Sequence, residues 1–197
     1  MSHSTEGEES RRDQILRAAT MLFSEKTFHG TSVKDIADAV GILKSSLYYY
    51  ISGKEKLLAD IILETVKTLK EDLSRVESAE VTPVEGLRQI ISAIVRFNTG
   101  YREVGILWLT EQHVISSLEM DEVTEMLKQR NKFLEKTLDE GIKMGVFRPV
   151  DVRMASLAIV GLCNSVLAWY RPSGRLSDEK IADFFCEFVT GGLLTSS

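Results

Sequence analysis

Residues 31–58 constrain the fold of this chain more than any other stretch. Ser32 is followed three residues later by Asp35, which is typical of a capping box at the start of a helix. Gly41 is expected to end that helix, because glycine is common just after a helix C-terminus. The apolar residues between these signals recur at the three- and four-residue spacing of one helical face: Val33, Ile36, Ala37 and Val40. A second helix follows within about three residues, so the stretch predicts a helix-turn-helix.

The second helix is expected to bury one side and expose the other. By the helical period, Leu47, Tyr50 and Ile51 share the side that can pack on the preceding helix. The opposite side carries a cation, a hydroxyl and two phenols: Lys44, Ser45, Tyr48 and Tyr49. Such groups suit a DNA groove, where phosphates and base edges supply partners.

The segment from Arg11 to Leu58 resembles the DNA-binding domain of TetR-family repressors. From Thr31 onward the shared pattern is T-S-V-x-D-I-A-x-x-x-G-x-x-K-x-S-L-Y-Y-Y-I-x-x-K-E-x-L, and the feeder helix contributes I-L-x-A-A-x-x-L-F from Ile15. One residue departs from the family: Leu43 stands where Ser or Thr often caps the recognition helix. The resemblance implies an N-terminal three-helix DNA-binding domain and a double-stranded operator as partner.

We assign eight residues to the DNA contact: Thr31, Ser32, Lys44, Ser45, Ser46, Tyr48, Tyr49 and Lys54. Lys44 and Tyr49 are placed for phosphates, and Tyr48 for a thymine methyl or a phosphate. Ser45 and Ser46 are short donors near the helix start, where free backbone N–H groups also favour anions. The residues before the first helix and Lys54 are placed for the DNA backbone on the flanks of the groove. Arg, Asn and Gln are absent from 43–51, so specificity should depend on apolar contacts, DNA shape and half-site spacing.

The charge distribution gives weak support to DNA binding. The whole chain carries a net charge of −5, whereas residues 10–60 hold eight Lys or Arg against six Asp or Glu. A segment this mildly basic would bind DNA poorly alone. Two copies in a dimer would therefore be needed.

The rest of the chain predicts helices only. It has three prolines and no alternating Val/Ile/Thr-rich runs. Helical patterns cover about 54–76, 84–100, 101–118 with a bend near Gly105, 121–144, 151–170 and 178–194. We expect an all-α protein with a disordered N-terminus (1–10), a helix-turn-helix DNA-binding domain (11–56) and an effector-binding and dimerisation bundle (57–197). The N-terminus lacks the apolar core of a signal peptide, so a cytoplasmic protein is expected.

The stretch 154–170 contains no charged residue. It is shorter than the roughly 20 residues of a membrane span and includes Asn164, so we interpret it as a buried helix and expect no membrane partner. The last helix, 178–194, is also rich in apolar residues. Together they exceed the needs of one core and predict a homodimer with a four-helix interface. Cys163 and Cys186 lie in these helices and are expected to be buried free thiols.

No catalytic or metal-binding motif occurs in the chain. His3, His29 and His113 are spread apart, and we interpret His29 as a surface turn residue. We therefore predict no enzyme activity, no metal and no cofactor. A helical enzyme, or a ligand carrier without DNA binding, is the alternative from another class, favoured if His113 and Glu111 faced a substrate.

The C-terminal part resembles a branch of TetR-type regulators associated with fatty-acid and steroid catabolism, which respond to acyl-CoA thioesters. The shared residues are Arg130-Asn131-Lys132, the segment G-x-x-x-G-x-F-R-P from Gly141, Asn164, and W-Y-R-P-x-G from Trp169. The relatives usually carry tryptophan after the asparagine, where this chain has Ser165.

This resemblance implies a small hydrophobic effector, such as an acyl-CoA thioester, that releases a repressor from DNA. The expected cavity is mostly apolar with a few polar groups: Phe97, Leu107, Trp108, Glu111, Gln112, Phe133, Asn164 and Trp169. Cations for the CoA phosphates could come from Arg130, Arg148, Arg171 and Arg175, for which surface salt bridges are the alternative. A TetR-type sensor of aromatic or cationic drugs is the competing function.

Overall fold

The computed structural model describes residues 10–118 and 120–195. The predicted all-α class is confirmed, with no strand among the described residues. The helices are α1 (Arg11–Lys26), α2 (Val33–Ala39), α3 (Lys44–Leu47), α4 (Lys54–Ser78), α5 (Pro83–Gly100), α6 (Arg102–Thr110), α7 (Gln112–Ile115), α8 (Asp121–Lys143), α9 (Val152–Asn164), α10 (Val166–Trp169) and α11 (Asp178–Leu193). Apart from Ser10, which caps α1, the N-terminus predicted to be disordered lies outside the described residues.

The chain divides into two compact units. The N-terminal unit holds the residues up to 63 together with Ile106–Met120. The C-terminal unit holds Glu64–Gly105 and the residues from 121 onward. Two of the three boundaries therefore fall inside α4 and α6, and the third lies immediately before α8. This division differs from the domain assignment of 11–56 and 57–197, which stays a prediction.

The N-terminal unit contains the predicted helix-turn-helix. Helix α2 packs against both α1 and α3, and their shared core is made by Ile15, Ala19, Phe23, Ile36, Ala37 and Leu47. The predicted capping box is confirmed: Asp35 N–H donates to Ser32 Oγ at 3.1 Å, and Ser32 N–H donates to Asp35 Oδ2 at 2.8 Å. Gly41 has φ 70°, a conformation that glycine adopts without strain.

The capping box should make α2 sensitive to Ser32→Ala. The substitution leaves the Asp35 N–H without its side-chain acceptor, so we expect the free energy of unfolding to fall by about 1 kcal/mol. Urea unfolding at neutral pH measures it. Ser24→Ala, at an exposed position near the end of α1, is the control and should change stability little.

Acid should weaken the same cap. Hydrogen bonds from Ser32 lower the pKa of Asp35 from 3.8 to about 2, with a smaller contribution from Lys26. Because the folded pKa is depressed, the carboxylate stabilises the fold above pH 3.8 and loses that effect as pH falls through about 2. The difference in stability between wild type and Asp35→Asn should therefore shrink in acid. A difference that grew on acidification would contradict this.

The second helix is shorter than the sequence predicts. Helix α3 ends at Leu47, and 48–50 form a turn in which Tyr49 N–H donates to Ser46 O at 3.2 Å and Tyr50 N–H to Leu47 O at 2.9 Å. These bonds run from residue i to i−3, so the chain tightens beyond the α-helix. No side chain caps α3, because Leu43 has no hydrogen-bonding group.

The C-terminal unit is built around α5, which contacts α8, α9, α10 and α11. Its core is aliphatic with a few aromatic rings, including Leu87, Ile90, Ile94, Leu138, Phe147 and Phe185. Gly141 allows the Phe147 ring to pack on α8, since a Cβ there would lie 2.1 Å from that ring. After α8 the chain pairs with the end of α11, where Arg148 N–H donates to Leu193 O at 2.8 Å.

Two predicted helices are interrupted at positions that the sequence does not mark. The bend expected near Gly105 lies at Glu111, between α6 and α7. Gly105 is helical, and its lack of a side chain allows Leu167 to pack against it. A Cβ at position 105 would lie 2.6 Å from the Leu167 side chain. The helix expected to reach Tyr170 ends at Asn164, and Ser165 Oγ donates to Leu162 O at 2.7 Å.

Helices α9 and α11 leave an apolar face exposed, which we call the α9–α11 face. Its large residues are Met154, Leu157, Phe184 and Phe188, and Ala158 and Gly161 are exposed beside them in sequence. The interpretation of 154–170 as buried on all sides is therefore wrong for a single chain. Val152–Trp169 is long and apolar enough to cross a membrane, although it is interrupted at Ser165 and core helices of soluble proteins share this composition.

The two cysteines are buried free thiols, as predicted. Burial raises the pKa of the Cys163 thiol to about 12. It also raises the pKa of the Cys186 thiol. Cys186 Sγ donates to the carbonyl of Arg88 at 3.4 Å. Both thiols therefore belong to the core of the C-terminal unit.

Candidate nucleic-acid interface and effector-binding residues

An exposed polar surface surrounds α3. Lys44, Ser45 and Ser46 are exposed, and Tyr48 and Tyr49 show 52% and 87% of their surface to solvent. The fully buried Leu47 side chain anchors this segment below them. We call the five exposed residues the α3 surface. It offers a cation, two hydroxyls and two phenols, as the sequence predicts.

Tyr50 differs from its prediction. It was expected to pack in the core with Leu47 and Ile51, but it is 39% exposed. Its ring lies edge-on to Tyr49, with centroids 5.3 Å apart and an interplanar angle of 84°. Because 48–50 form a turn, the Tyr50 side chain does not have the direction that a continued α3 would give it.

Two residues predicted to contact the DNA backbone make hydrogen bonds within the N-terminal unit. Thr31 is 1% exposed, and its hydroxyl donates to the carbonyls of Leu22 (3.0 Å) and Thr27 (2.9 Å). The Lys54 ammonium donates to the carbonyls of Phe28 (2.8 Å) and Thr31 (2.9 Å), and it lies 4.3 Å from the centroid of the Phe28 ring. Both side chains stabilise the turn before α2, and their assignment to the DNA contact stays a prediction.

Ser32 is exposed, but its hydroxyl is already used by the capping box. It donates to Asp35 Oδ2 at 2.5 Å and accepts from Asp35 N–H. A phosphate contact from this hydroxyl would compete with the cap. Its assignment to the DNA contact stays a prediction.

Four of the eight predicted effector residues lie in the N-terminal unit. Leu107 is buried, and Trp108 is half-buried. Glu111 is 6% exposed and accepts a hydrogen bond from Phe28 N–H at 3.3 Å. The Gln112 side chain donates to the carbonyl of Trp108. Glu111 and Gln112 therefore use part of their hydrogen-bonding capacity within this unit.

The other four lie in the C-terminal unit: Phe97, Phe133, Asn164 and Trp169. Asn164 accepts a hydrogen bond from Asn98, whose amide also donates to Cys163 O, each at 3.0 Å. Asn98 is buried, and we had not selected it, because an asparagine inside an apolar helix gives no sign of its partner. The phenylalanines are half-buried against the core, and Trp169 is exposed.

Arg130 is a half-buried cation without a carboxylate partner among the described residues. Its guanidinium donates to Asn131 Oδ1 from Nε at 3.1 Å and from Nη2 at 3.0 Å. Burial lowers the pKa of Arg130. Helix α6 contains Arg102, whose Nε is buried and has no hydrogen-bond partner in the described structure.

The other arginines considered for an anionic effector are exposed. Arg148 Nε donates to Gly192 O at 2.6 Å, and Arg171 Nη1 donates to Tyr170 O at 3.0 Å. Within the described ranges, neither these two nor Arg175 forms an ion pair. The surface salt bridges considered as the alternative are therefore not formed in this part of the chain.

Comparison with known proteins identifies the family. Residues 15–61 match the model described as bacterial regulatory proteins of the tetR family, and residues 80–193 match the tetracyclin repressor-like C-terminal domain. The chain belongs to the TetR family. Similarity to relatives in the acyl-CoA- and steroid-responsive branch supports that part of the sequence-based assignment.

The relatives include transcriptional repressors. The repressor KstR2 of Mycolicibacterium smegmatis is 29% identical over 189 residues, covering 95% of this chain and 92% of the relative. The solved structure of the ketosteroid transcriptional regulator KstR2 of Mycobacterium tuberculosis has a TM-score of 0.89 and 26% identity, covering 96% and 98% of the two chains. AibR, solved with isovaleryl coenzyme A and operator DNA, has a TM-score of 0.80 and 30% identity, covering 91% and 97%.

Proposed function

We propose that this protein is a cytoplasmic, homodimeric transcriptional repressor that an acyl-CoA thioester releases from its operator. The observation that carries the proposal is the α3 surface on a TetR-type helix-turn-helix. It is supported by similarity to AibR, which was solved with an acyl-CoA and operator DNA. Regulators of this family bind operator DNA and dimerise.

The α3 surface provides the DNA contact. Lys44 binds phosphate, and Tyr49, the most exposed of the tyrosines, donates its phenol to phosphate. Tyr48 contacts base edges or a thymine methyl. Ser45 and Ser46 add short donors. Because no Arg, Asn or Gln lies in this segment, half-site spacing in the dimer contributes much of the specificity.

The α9–α11 face provides the dimer contact, and a second copy of the chain is its occupant. Exposed Phe184 and Phe188 lie one helical turn apart, with stacked rings 6.3 Å between centroids. The small residues Ala158 and Gly161 allow a partner helix to approach closely. A twofold arrangement would also double the weakly basic DNA surface.

The effector binds the C-terminal unit, with Arg130 facing its anionic part. A half-buried guanidinium that has only amide partners retains donors for phosphate or carboxylate. Asn98 and Asn164 form a polar pair at the α5–α9 contact that can orient the ligand. The regulators that the C-terminal part resembles usually carry tryptophan at the position of Ser165, and the smaller side chain would leave room for a long or wide acyl group.

Release requires unequal binding of the effector to two states of the dimer. An acyl-CoA that binds better to the state with mismatched half-site spacing shifts the population toward it. Tight binding to both states equally would release nothing. The competing function, a sensor of aromatic or cationic drugs, needs a carboxylate in the ligand cavity, and the predicted candidate Glu111 lies in the N-terminal unit, outside the proposed effector site.

Arg130→Gln tests the effector assignment. We expect about 10- to 100-fold more acyl-CoA for half-maximal operator release, because a hydrogen bond to a charged group contributes about 1.5–3 kcal/mol. Operator affinity without effector should stay near that of wild type. The measurement is fluorescence anisotropy of a labelled DNA fragment from upstream of the protein's own gene.

Arg75→Gln is the matched control. Arg75 is exposed on α4 and paired with Asp72 at 2.7 Å, so its loss should leave release unchanged. Equal release curves for Arg130→Gln and wild type would remove Arg130 from the effector site.

A further inference from the structure

Two imidazoles and a carboxylate converge inside the N-terminal unit. His29 comes from the turn before α2, Glu111 separates α6 from α7, and His113 lies in α7. The Nε2 atoms of the two histidines are 3.0 Å apart, and their rings are stacked with centroids 5.3 Å apart. One ligand atom from each of the three residues lies within 4.8 Å of the other two.

The spacing of the two nitrogens fits a shared metal ion. Zinc binds imidazole nitrogen at about 2.0–2.1 Å and carboxylate oxygen at about 2.0–2.2 Å. Two nitrogens on one tetrahedral zinc are therefore roughly 3.3 Å apart, close to the separation observed here. Without a metal, one of the two Nε2 atoms must carry a proton and donate it to the other.

The environment of Glu111 gives an independent reason to expect a cation. Its carboxylate is buried, and its one partner among the described residues is the backbone N–H of Phe28 at 3.3 Å. Buried carboxylates are normally paired with a cation or bound to a metal. The Phe28 bond would orient the carboxylate as a ligand, in the way that outer hydrogen bonds commonly do.

We propose that the N-terminal unit binds a zinc-type divalent cation through His29 Nε2, His113 Nε2 and the Glu111 carboxylate. Two imidazoles and one carboxylate are a donor set that zinc uses in proteins. Both histidines are exposed, so water completes the tetrahedron. Glu111 is also among the residues that the sequence predicts for the effector cavity, but the proposed effector site lies in the C-terminal unit, so the metal site does not depend on the proposed repressor function.

The ion would join two segments that lie far apart in the sequence. His29 belongs to the part matched by the DNA-binding family model, and His113 to the part matched by the C-terminal model. The turn that carries His29 is also held by Lys54 through the carbonyls of Phe28 and Thr31. Bound metal would fix this turn from a second side. It would also stabilise the folded state by an amount that rises with the ratio of free metal concentration to its dissociation constant.

Zinc titration of the chelator-treated full-length protein, in competition with a chromophoric chelator, tests the site. We expect one Zn²⁺ per chain in wild type. His29→Ala and His113→Ala should each weaken binding by at least about 100-fold, and Glu111→Gln by at least about tenfold, since even outer partners of metal ligands contribute 10- to 100-fold. Zn²⁺ should raise the melting temperature of wild type and not of the histidine variants.

His3→Ala is the matched control, because it removes the remaining histidine and should bind Zn²⁺ as wild type does. Co²⁺ in place of Zn²⁺ should give d–d absorption without thiolate charge transfer, which separates this site from the cysteines. Circular dichroism checks that the variants fold, as expected for the exposed positions of the two histidines. Equal Zn²⁺ affinity in wild type and the His29→Ala/His113→Ala double variant, or thiolate charge transfer with Co²⁺, would overturn the proposal.

Discussion

Gly161→Arg is expected to convert the dimer into a monomer and to lower operator affinity at least about a thousandfold. Gly161 is exposed on α9, and a Cβ added there meets no atom within 4 Å, so the isolated chain should tolerate the change. In the proposed dimer the new guanidinium would lie without a partner between apolar helices. Burying such a charge costs several kcal/mol, and about 4 kcal/mol corresponds to a thousandfold.

Light scattering after size exclusion, at micromolar concentration, measures the assembly state. Gln129→Arg adds the same charge at an exposed position of α8 and should leave the dimer intact. Circular dichroism should show equal helix content in both variants. A monomeric wild-type protein, or a Gly161→Arg variant that still dimerises, would contradict the assignment of the α9–α11 face.

Lys44→Ala is expected to weaken binding to all DNA sequences, by about 10- to 100-fold for a dimer. The slope of log K against log salt concentration should become shallower by about 1.8. Each phosphate contact contributes about 0.9 to this slope, and the dimer loses two contacts. Tyr49→Phe should also weaken binding to all sequences, but it should leave the salt dependence unchanged because a phenol carries no charge.

Tyr48→Ala should behave differently from both. It removes the proposed contact to base edges, so operator binding should fall more than binding to unrelated DNA. Lys70→Ala, which removes an exposed lysine of α4, is the control and should have no effect. Equal losses of operator and non-specific binding in Tyr48→Ala would show that this side chain contacts the DNA backbone only.

Local signals in the sequence predicted the helix-turn-helix well. The Ser32–Asp35 cap and the glycine after α2 depend on residues three or four apart, so their geometry follows from sequence spacing. The absence of a side-chain cap at Leu43 was predictable for the same reason. The exposed lysine and tyrosines of the α3 surface followed from helical periodicity, although the helix itself ends at Leu47.

Tertiary partners limited the prediction of individual site residues. Thr31 and Lys54 donate hydrogen bonds to carbonyls of the turn at 27–31 and of the end of α1. Nothing in the sequence indicates these bonds, so both side chains were assigned to DNA without them. Asn98 could not be selected, since Asn164, its partner, lies 66 positions away. The same reason hid the pair of His29 and His113, which are 84 positions apart.

Operator release by defined ligands distinguishes a repressor that responds to an acyl-CoA thioester from a sensor of hydrophobic drugs. The complex of the wild-type protein with the labelled upstream DNA fragment is titrated separately with three ligands: a long-chain acyl-CoA, the corresponding free acid and a hydrophobic cationic drug. Fluorescence anisotropy reports the fraction of DNA that stays bound. We expect release by the thioester and none by the acid at the same concentration. Release by the drug alone, with the thioester without effect, would contradict it.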